Sequence, residues 1–238
     1  MFEITDWLKH QTAYGQQVIV LGKNVFLIQE IKSANWHKLK IAFDESDKYL
    51  LSQEALWLRR SAQSQSVKCY LSQTNSDFHL LVMDYLDGES LSDFLKGNRQ
   101  LDMRSIMSSL CNKLNQLHEQ GIVHNDIKPS NIIVMENESH LIDLASAGWI
   151  NHNYSSKRFK SYTPAFILPE PYLPEMYMTK VDWYAYFLIL DLLKSGTVLS
   201  LNESNQRAFF EHQQVLIRSY LFERKLEVFL FKQLNSIV

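Results

Sequence analysis

The stretch His-Asn-Asp-Ile-Lys-Pro-Ser-Asn, residues 124–131, decides how this chain is interpreted. It follows a predicted helix and a short apolar strand, and it precedes a predicted hairpin. Within one loop it offers a carboxylate (Asp126), a cation (Lys128) and an amide oxygen (Asn131). Phosphoryl transfer from ATP uses such groups to orient the attacking hydroxyl, to offset charge at the γ-phosphate and to help hold magnesium. The loop therefore predicts phosphotransfer chemistry.

A second carboxylate, Asp143, follows at the end of the next predicted strand. Carboxylate and amide oxygens suit magnesium, so Asn131 and Asp143 are the predicted metal ligands. A lone Asp and Asn in a loop more often make hydrogen bonds within a turn. Here the carboxylate, the cation, the amide and the strand-borne carboxylate occur in order and in a fitting structural context, which favours the catalytic interpretation.

Three motifs in this order resemble those of the protein kinase family. Residues 124–131 are similar to the family's His-Arg-Asp catalytic loop, and Asp-Leu-Ala at 143–145 is similar to its Asp-Phe-Gly element. Thr-Pro-Ala-Phe-Ile-Leu-Pro-Glu at 163–170 resembles the stretch ending in Ala-Pro-Glu that closes the activation segment. The resemblance runs from about residue 18 to about residue 195, and the compact lobes favour a small, bacterial-type member.

The resemblance implies roles for individual residues. Asp126 would be the catalytic base, and Lys128, two positions later, is the form of the loop found in Ser/Thr kinases. Thr163 would bond to Asp126 and Lys128, and Asp182 would hold the catalytic loop from behind. The implied cofactors are ATP and Mg2+, and the implied partner is a protein substrate that presents a Ser or Thr hydroxyl.

An ATP site also needs a cation for the α- and β-phosphates, held by a carboxylate. Lys40 on the third predicted strand is the first candidate, with Glu54 as its partner. At helical spacing Glu54 shares a stripe with Leu51 and Leu58, so its carboxylate points inward and needs a counter-charge. Lys38 lies on the same strand face as Lys40 and remains the alternative phosphate lysine.

The segment 80–88 resembles the family's linker between two lobes. The resemblance implies that Met83 backs the nucleotide pocket and that the backbones of Asp84 and Leu86 bond adenine. Met83 is equally well explained by core packing, and both interpretations can hold together.

Three positions depart from the family pattern. Only Gly22, in a predicted Gly-Lys-Asn turn, stands where the family has a glycine-rich phosphate loop, so we expect poor cover of the phosphates. Asn125 replaces the Arg that receives the activation-loop phosphate in the family, which disfavours regulation by that route. Ala145 replaces a glycine and restricts the backbone there.

The chain predicts an α+β, bilobal, protein-kinase-like fold in a single domain over residues 1–238. Residues 1–83 would form an N-lobe with an antiparallel sheet and one main helix, 84–89 a hinge, and 90–238 a shortened helical C-lobe. Periodicity and turn residues place the elements. The predicted strands are 18–21, 25–31, 36–43, 67–71, 79–84, 132–135 and 140–142, and the predicted helices are 47–60, 102–120, one about 181–192 and one about 226–234.

Composition excludes several classes of function. The chain has 24 Lys and Arg against 26 Asp and Glu, which gives no bulk attraction to nucleic acid or a membrane surface. Two cysteines are too few for a disulfide framework or a zinc site. The acidic N-terminus and the absence of a long apolar run predict neither a signal peptide nor a membrane span, so we expect a cytoplasmic protein. Its oligomeric state stays open.

The sequence therefore predicts an enzyme that phosphorylates Ser and Thr hydroxyls of a protein, its own included. One alternative is a pseudokinase that binds nucleotide or acts only through protein contacts, which the missing glycines favour. Another is a small-molecule kinase of the aminoglycoside or choline type, which shares the spacing from Asp126 to Asn131. Lys128 and the stretch 163–170 argue against that second alternative.

Overall fold

The computed structural model describes residues 4–62, 67–97, 102–159 and 162–237. The first part of the chain is a sheet with one long helix. Its elements are α1 (Ile4–Lys9), β1 (Tyr14–Gly22), β2 (Val25–Glu30), β3 (Trp36–Ala42), α2 (Glu45–Arg60), β4 (Cys69–Thr74) and β5 (His79–Asp84).

The five strands form one antiparallel sheet in the order β1-β2-β3-β5-β4. The predicted meander therefore holds for β1 to β3, and α2 and β4 are inserted in sequence between the neighbours β3 and β5. Side chains alternate across the sheet. Leu39 and Ile41 pack into one apolar cluster, while Leu81 and Met83 pack with α2 in another. The second cluster borders the cleft that holds the candidate site.

Helix α2 begins two residues earlier than the sequence predicts. Asp44 is its N-cap, and its carboxylate accepts a 2.9 Å hydrogen bond from the Asp47 N–H. Such a cap satisfies an N–H that the first turn leaves free. The inward face then carries Leu51, Leu58 and Glu54, all buried, in accordance with the predicted stripe.

The second part of the chain is mainly helical. Its elements are β6 (Glu89–Ser90), α3 (Leu91–Lys96), α4 (Met103–Glu119), β7 (Ile122–Val123), β8 (Ile132–Met135), β9 (Glu138–Leu141), β10 (Gly148–Trp149), α5 (Thr179–Ser195), α6 (Gln206–Ser219) and α7 (Arg224–Asn235). Gly121 ends the turn after α4 with a φ of 77°, a left-handed conformation that glycine adopts readily at the end of a helix.

Helix α5 is the centre of this helical layer. Trp183, Tyr184, Tyr186 and Phe187 are all at most 1% exposed, which explains why the sequence of α5 is apolar nearly all round. Helices α4, α6 and α7 pack against it. The predicted α+β fold, with an antiparallel sheet followed by a helical layer, is confirmed.

The hairpin β8–β9 leads to the second predicted metal ligand. Its turn is tighter than predicted, because Glu136 and Asn137 both have positive φ, 51° and 64°, as a two-residue type I′ turn requires. Strand β9 therefore begins at Glu138, before the predicted start at His140, and ends two residues before Asp143.

Other boundaries also differ from the prediction. Strand β1 is longer and includes Gly22, which pairs with Val25, so the turn consists of Lys23 and Asn24 alone. Strand β4 begins two residues later than predicted. Helices α1, α3 and α6 were not predicted. The lobe boundaries at 83 and 89 stay a prediction, and residues 1–3 and 238 of the predicted domain lie outside the described residues. Within the described ranges, no helix has the length and apolarity that crossing a membrane requires.

Candidate active site

The loop 124–131 is fixed from behind by Asp182 on α5. The Asp182 carboxylate is fully buried and accepts 2.8 Å hydrogen bonds from the backbone N–H groups of His124 and Asn125. His118 on α4 contacts the same carboxylate through Nε2 at 2.9 Å. A buried carboxylate needs such donors, so the loop and α5 hold each other in place. The sequence prediction included Asp182 but not His118.

Both oxygens of the Asp126 carboxylate have partners. Lys128 Nζ donates to Oδ2 at 2.7 Å, and the Thr163 hydroxyl donates to Oδ1 at 2.8 Å. Lys128 Nζ also donates to the Thr163 hydroxyl at 2.9 Å. Each of the three side chains is thus hydrogen-bonded to the other two. These bonds join the catalytic loop to the stretch 163–170, although Thr163 lies 37 residues from Asp126.

The amide of Asn131 is oriented by the same aspartate. Its Nδ2 donates to the Asp126 backbone oxygen at 2.9 Å and to Asp126 Oδ2 at 3.2 Å. Because the nitrogen faces Asp126, the Asn131 amide oxygen is the atom left to ligate a metal ion.

Asp143 sits just after β9 in a left-handed backbone conformation, with φ 65° and ψ 70°. Burial alone would raise the pKa of its carboxyl group, but Lys40, His124 and Lys128 lower it, and the resulting pKa lies below the usual value. Asp143 is therefore an ionised carboxylate placed among cations, as a metal ligand must be.

Lys40 and Glu54 form an ion pair inside the cleft. Lys40 Nζ donates to both Glu54 oxygens, at 2.7 and 2.8 Å. Burial lowers the pKa of Lys40, but Glu54 and Asp143 more than offset this, so the pKa is raised and the ammonium stays charged. Of the two predicted phosphate lysines, Lys40 is the one with the carboxylate partner.

One cavity brings four of the predicted site residues together, whereas Lys128, Asn131 and Thr163 are not among the residues that line it. It has a volume of about 490 Å3, and its walls include Lys40, Glu54, Asp126 and Asp143. The tip of the β1–β2 hairpin closes part of it through residues 23–25. Gly22 itself does not line the cavity, although it adjoins residues that do. The sequence placed the turn 22–24 where the family has its phosphate loop, but named only Gly22 as a site residue, whereas the tip residues that line the cavity are 23–25.

The predicted linker residues differ in the main-chain groups that they leave available to adenine. Met83 is buried and packs with the α2 cluster. The Asp84 N–H donates to the Lys68 carbonyl at 3.1 Å, and its carboxylate accepts from Tyr70, so neither is left for adenine. Leu86 makes no main-chain hydrogen bond to another described residue, so its backbone is open to a ligand.

The activation segment, which runs from Asp143 to the stretch 163–170, has three contacts that the sequence did not indicate. The Tyr154 hydroxyl donates to the Asn125 side-chain oxygen at 3.0 Å. Lys157 Nζ donates to the Ala145 carbonyl at 3.0 Å and lies 5.6 Å from the centre of the Tyr177 ring. Residue type alone carries no signal for these pairs, since they depend on the path of the segment.

A magnesium ion would fit this donor set only together with a nucleotide. No cluster of three or more His, Cys, Asp or Glu side chains with metal-binding geometry occurs among the described residues. Mg2+ is usually held by one or two carboxylates plus substrate phosphates, with waters completing the octahedron. Asp143 and the Asn131 oxygen supply the protein's share of such a set.

Known proteins resemble this chain throughout most of its length. The model of the protein kinase domain family matches residues 24–236. Serine/threonine-protein kinase 1 of Heliothis zea nuclear polyhedrosis virus is 28% identical over 71% of this chain and 67% of its own length. Serine/threonine-protein kinase cds1 of Schizosaccharomyces pombe is 30% identical over 57% of this chain, which spans 33% of that protein.

A solved structure shares the fold. The Cydia pomonella granulovirus kinase PK-1 superposes with a TM-score of 0.65 at 21% identity, over 97% of this chain and 90% of that one. These relatives come from viruses and a yeast, and the bacterial-type character expected from the compact lobes stays a prediction.

Proposed function

The chain belongs to the protein kinase family, and from that premise we propose that it transfers the γ-phosphate of ATP to Ser or Thr hydroxyls of a protein substrate. The observation that carries the proposal is that Asp126 and Asp143 line one cavity together with the Lys40–Glu54 ion pair. Phosphoryl transfer depends on positioning and charge stabilisation more than on covalent chemistry. This cavity offers both.

In the proposed reaction Asp126 orients the substrate hydroxyl and accepts its proton. Its carboxylate is held at both oxygens by Lys128 and Thr163, so its orientation is set before the substrate binds. Lys128 can also offset negative charge at the transferred phosphoryl group. A carboxylate fixed in this way costs little reorganisation at the moment of transfer.

Lys40 would bind the α- and β-phosphates, with Glu54 fixing its direction. Asn131 and Asp143 would hold Mg2+, which neutralises charge on the phosphates. Leu86 would offer main-chain groups to adenine, while Met83 closes the back of the pocket and Asp84 contributes at most its carbonyl. Gly22 would lie near the phosphates through the hairpin tip.

Two observations support a protein substrate with Ser or Thr. The relatives named above are Ser/Thr protein kinases. Lys128 bridges Asp126 and Thr163, so the lysine that marks the Ser/Thr form of the loop also fixes the base. Autophosphorylation is included in the proposal, since residues of the chain itself are Ser and Thr.

The test is a transfer assay with γ-labelled ATP and Mg2+. The protein is incubated alone, with a generic basic protein, and with free choline and an aminoglycoside, beside Asp126→Asn and Asp143→Asn. Label on phosphoserine or phosphothreonine in the wild type, lost by at least about a hundredfold in Asp126→Asn, supports the proposal. Chelation of Mg2+ should abolish the same signal.

Other outcomes overturn it in defined ways. Nucleotide binding without transfer to any acceptor would indicate a pseudokinase. Label only on the small hydroxyl compounds would indicate a small-molecule kinase. Label that is unchanged in Asp126→Asn would show that the proposed base is wrong.

A further inference from the structure

A second lysine of β3 lies beside the cleft, although it is not among the residues that line the cavity described above. Lys38 lies two residues before Lys40, so the two side chains are on the same face of the strand. Its cross-strand neighbours on that face are Leu27 and Met83, both buried. Unlike the Lys40 ammonium group, the Lys38 ammonium group makes no hydrogen bond or ion pair with any other residue of the described ranges. It is a half-buried ammonium group without a protein partner.

Charged groups of the cleft act on this ammonium group. Burial lowers the pKa of Lys38 and Lys40 lowers it further, whereas Glu54 and Asp143 act in the opposite direction. All three charged groups line the phosphate end of the cleft. The Lys38 ammonium therefore lies within electrostatic reach of that end.

Lys40 has little donor capacity left for a triphosphate. An ammonium group has three N–H donors, and Lys40 uses two of them on Glu54. The charge of Lys40 is matched by Glu54, and that of Lys128 by Asp126. The Lys38 ammonium group, on the same strand face as Lys40, has no such carboxylate partner among the described residues, so its donors are available to a phosphate.

The position along β3 fits a ligand that spans the cleft. Lys38 is opposite Met83, next to the linker where the base is proposed to bind, and Lys40 is opposite Leu81, one step further in. An ammonium group located between positions 38 and 40 of β3 can reach the α- and β-phosphates of a nucleotide. Near its tip the β1–β2 hairpin has one glycine, Gly22, so close backbone approach to the phosphates is limited there.

We propose that Lys38 is a second phosphate-binding lysine, which contacts the α- or β-phosphate of ATP and works beside Lys40. This inference rests on the proposed function. It makes Lys38 a binding residue and assigns it no part in proton transfer, so its loss acts on nucleotide affinity. It also explains why a long cationic side chain is tolerated between two buried apolar ones.

The test compares nucleotides that differ only in their phosphates. Dissociation constants for Mg-ATP, Mg-ADP, AMP and adenosine are measured by calorimetry for the wild type, Lys38→Met, Lys38→Arg and Lys32→Met. Lys32 is an exposed lysine in the turn after β2 and serves as the matched control. Met keeps the length and removes the charge, and thermal unfolding monitors folding in each variant.

We expect Lys38→Met to bind ATP and ADP about tenfold more weakly, the size of one lost charge-assisted hydrogen bond. Adenosine affinity should stay within about twofold, since adenosine has no phosphate. Lys38→Arg should recover most of the ATP affinity. In steady-state assays the KM for ATP should rise by about the same factor, while kcat changes less than about threefold.

The failure modes are distinct. If Lys38→Met lost affinity equally for ATP and adenosine, or bound both more tightly, Lys38 would occupy the space of the base. Either result would overturn the proposal. No change in any affinity would overturn it as well. A wild type that neither binds nucleotide nor transfers phosphate would instead refute the proposed function, which the transfer assay tests separately.

Discussion

The Tyr154 hydroxyl donates a 3.0 Å hydrogen bond to the side-chain oxygen of Asn125, the residue directly before the proposed catalytic base. Asn125 has a φ of 66°, a left-handed conformation that Asn adopts more readily than most residues. The contact ties the activation segment to the catalytic loop through two neutral groups. It needs no phosphate, which gives a structural reason for the absence of an Arg at position 125.

The first prediction concerns this contact. Tyr154→Phe removes the donor and leaves the buried Asn125 oxygen unpaired, so we expect the free energy of unfolding to fall by about 1–3 kcal/mol. The phosphotransfer rate should fall with it, while ATP affinity is kept. Urea unfolding and a labelled transfer assay measure the two effects.

A matched control and a treatment complete that test. Tyr162→Phe changes an exposed tyrosine of the same segment and should leave both quantities unchanged. Phosphatase treatment of the wild type should also leave its rate unchanged, because the contact is neutral. A rate that disappears with phosphatase would contradict the idea that this hydrogen bond replaces a phosphate contact.

The same pair illustrates what a sequence does and does not predict. The groups of the loop 124–131 lie within eight residues, so their mutual positions follow from local backbone geometry. Asn125 and Tyr154 are 29 residues apart, and their contact depends on how the segment folds back, where Asn153 pairs with Met176 ahead of α5. No periodicity or spacing encodes that path.

Element boundaries show a related limit. Strand β1 is exposed through most of its length, including Ile19, Val20 and Leu21, so its residues lack the apolar-polar alternation that marks a strand. It forms because β2 offers a pairing edge. Helix α6 was not predicted, although its buried residues Phe209, Gln213, Leu216 and Ile217 follow helical spacing, so the periodicity of the sequence did carry a signal for it. By contrast, α5 was predicted because burial on all sides leaves an apolar sequence.

The second prediction concerns the Lys40–Glu54 ion pair. In Lys40→Met, Glu54 remains buried without its cation, so we expect a loss of about 3 kcal/mol in the free energy of unfolding. Adding Glu54→Leu to Lys40→Met removes the buried carboxylate that has lost its cation. This double variant should recover most of the lost stability. Neither variant should transfer phosphate, because the phosphate lysine is gone.

Denaturant unfolding of the wild type, both single variants and the double variant gives the coupling energy of the pair. Stabilities that simply add would contradict the contact between Lys40 and Glu54. Recovery of stability together with activity in the double variant would instead contradict the role of Lys40 toward ATP.

The third prediction concerns pH and Lys157. Burial lowers the pKa of Lys157 to about 8 from the usual value of 10.5. Between these two values the lysine is neutral in the folded chain and charged in the unfolded chain, so the unfolded state binds more protons. The stability contributed by this residue therefore rises as the pH rises through that window, and below pH 8 the buried charge is unfavourable.

The measurement is the stability difference between the wild type and Lys157→Met at several pH values from 7 to about 10. We expect the wild type to gain on the variant as the pH rises, and the exposed Lys225, changed to Met in a parallel series, to show no such trend. A difference that is flat or that falls with pH would mean that the Lys157 amine is not desolvated.

The last prediction concerns the joint between the predicted linker and the helical layer. A Cβ on Gly88 would lie 2.6 Å from the Val134 backbone oxygen and 2.6 Å from a methyl carbon of Ile133. Both belong to β8, which begins directly after Asn131, so a shift that relieves the clash also moves the proposed metal ligand. Gly88→Ala should therefore lower the free energy of unfolding by about 1–3 kcal/mol. Gly22→Ala is the matched change, because a Cβ there meets nothing within 4 Å, and its stability should match the wild type. Equal stabilities of the two variants, measured by thermal unfolding, would contradict the close approach of residue 88 to β8.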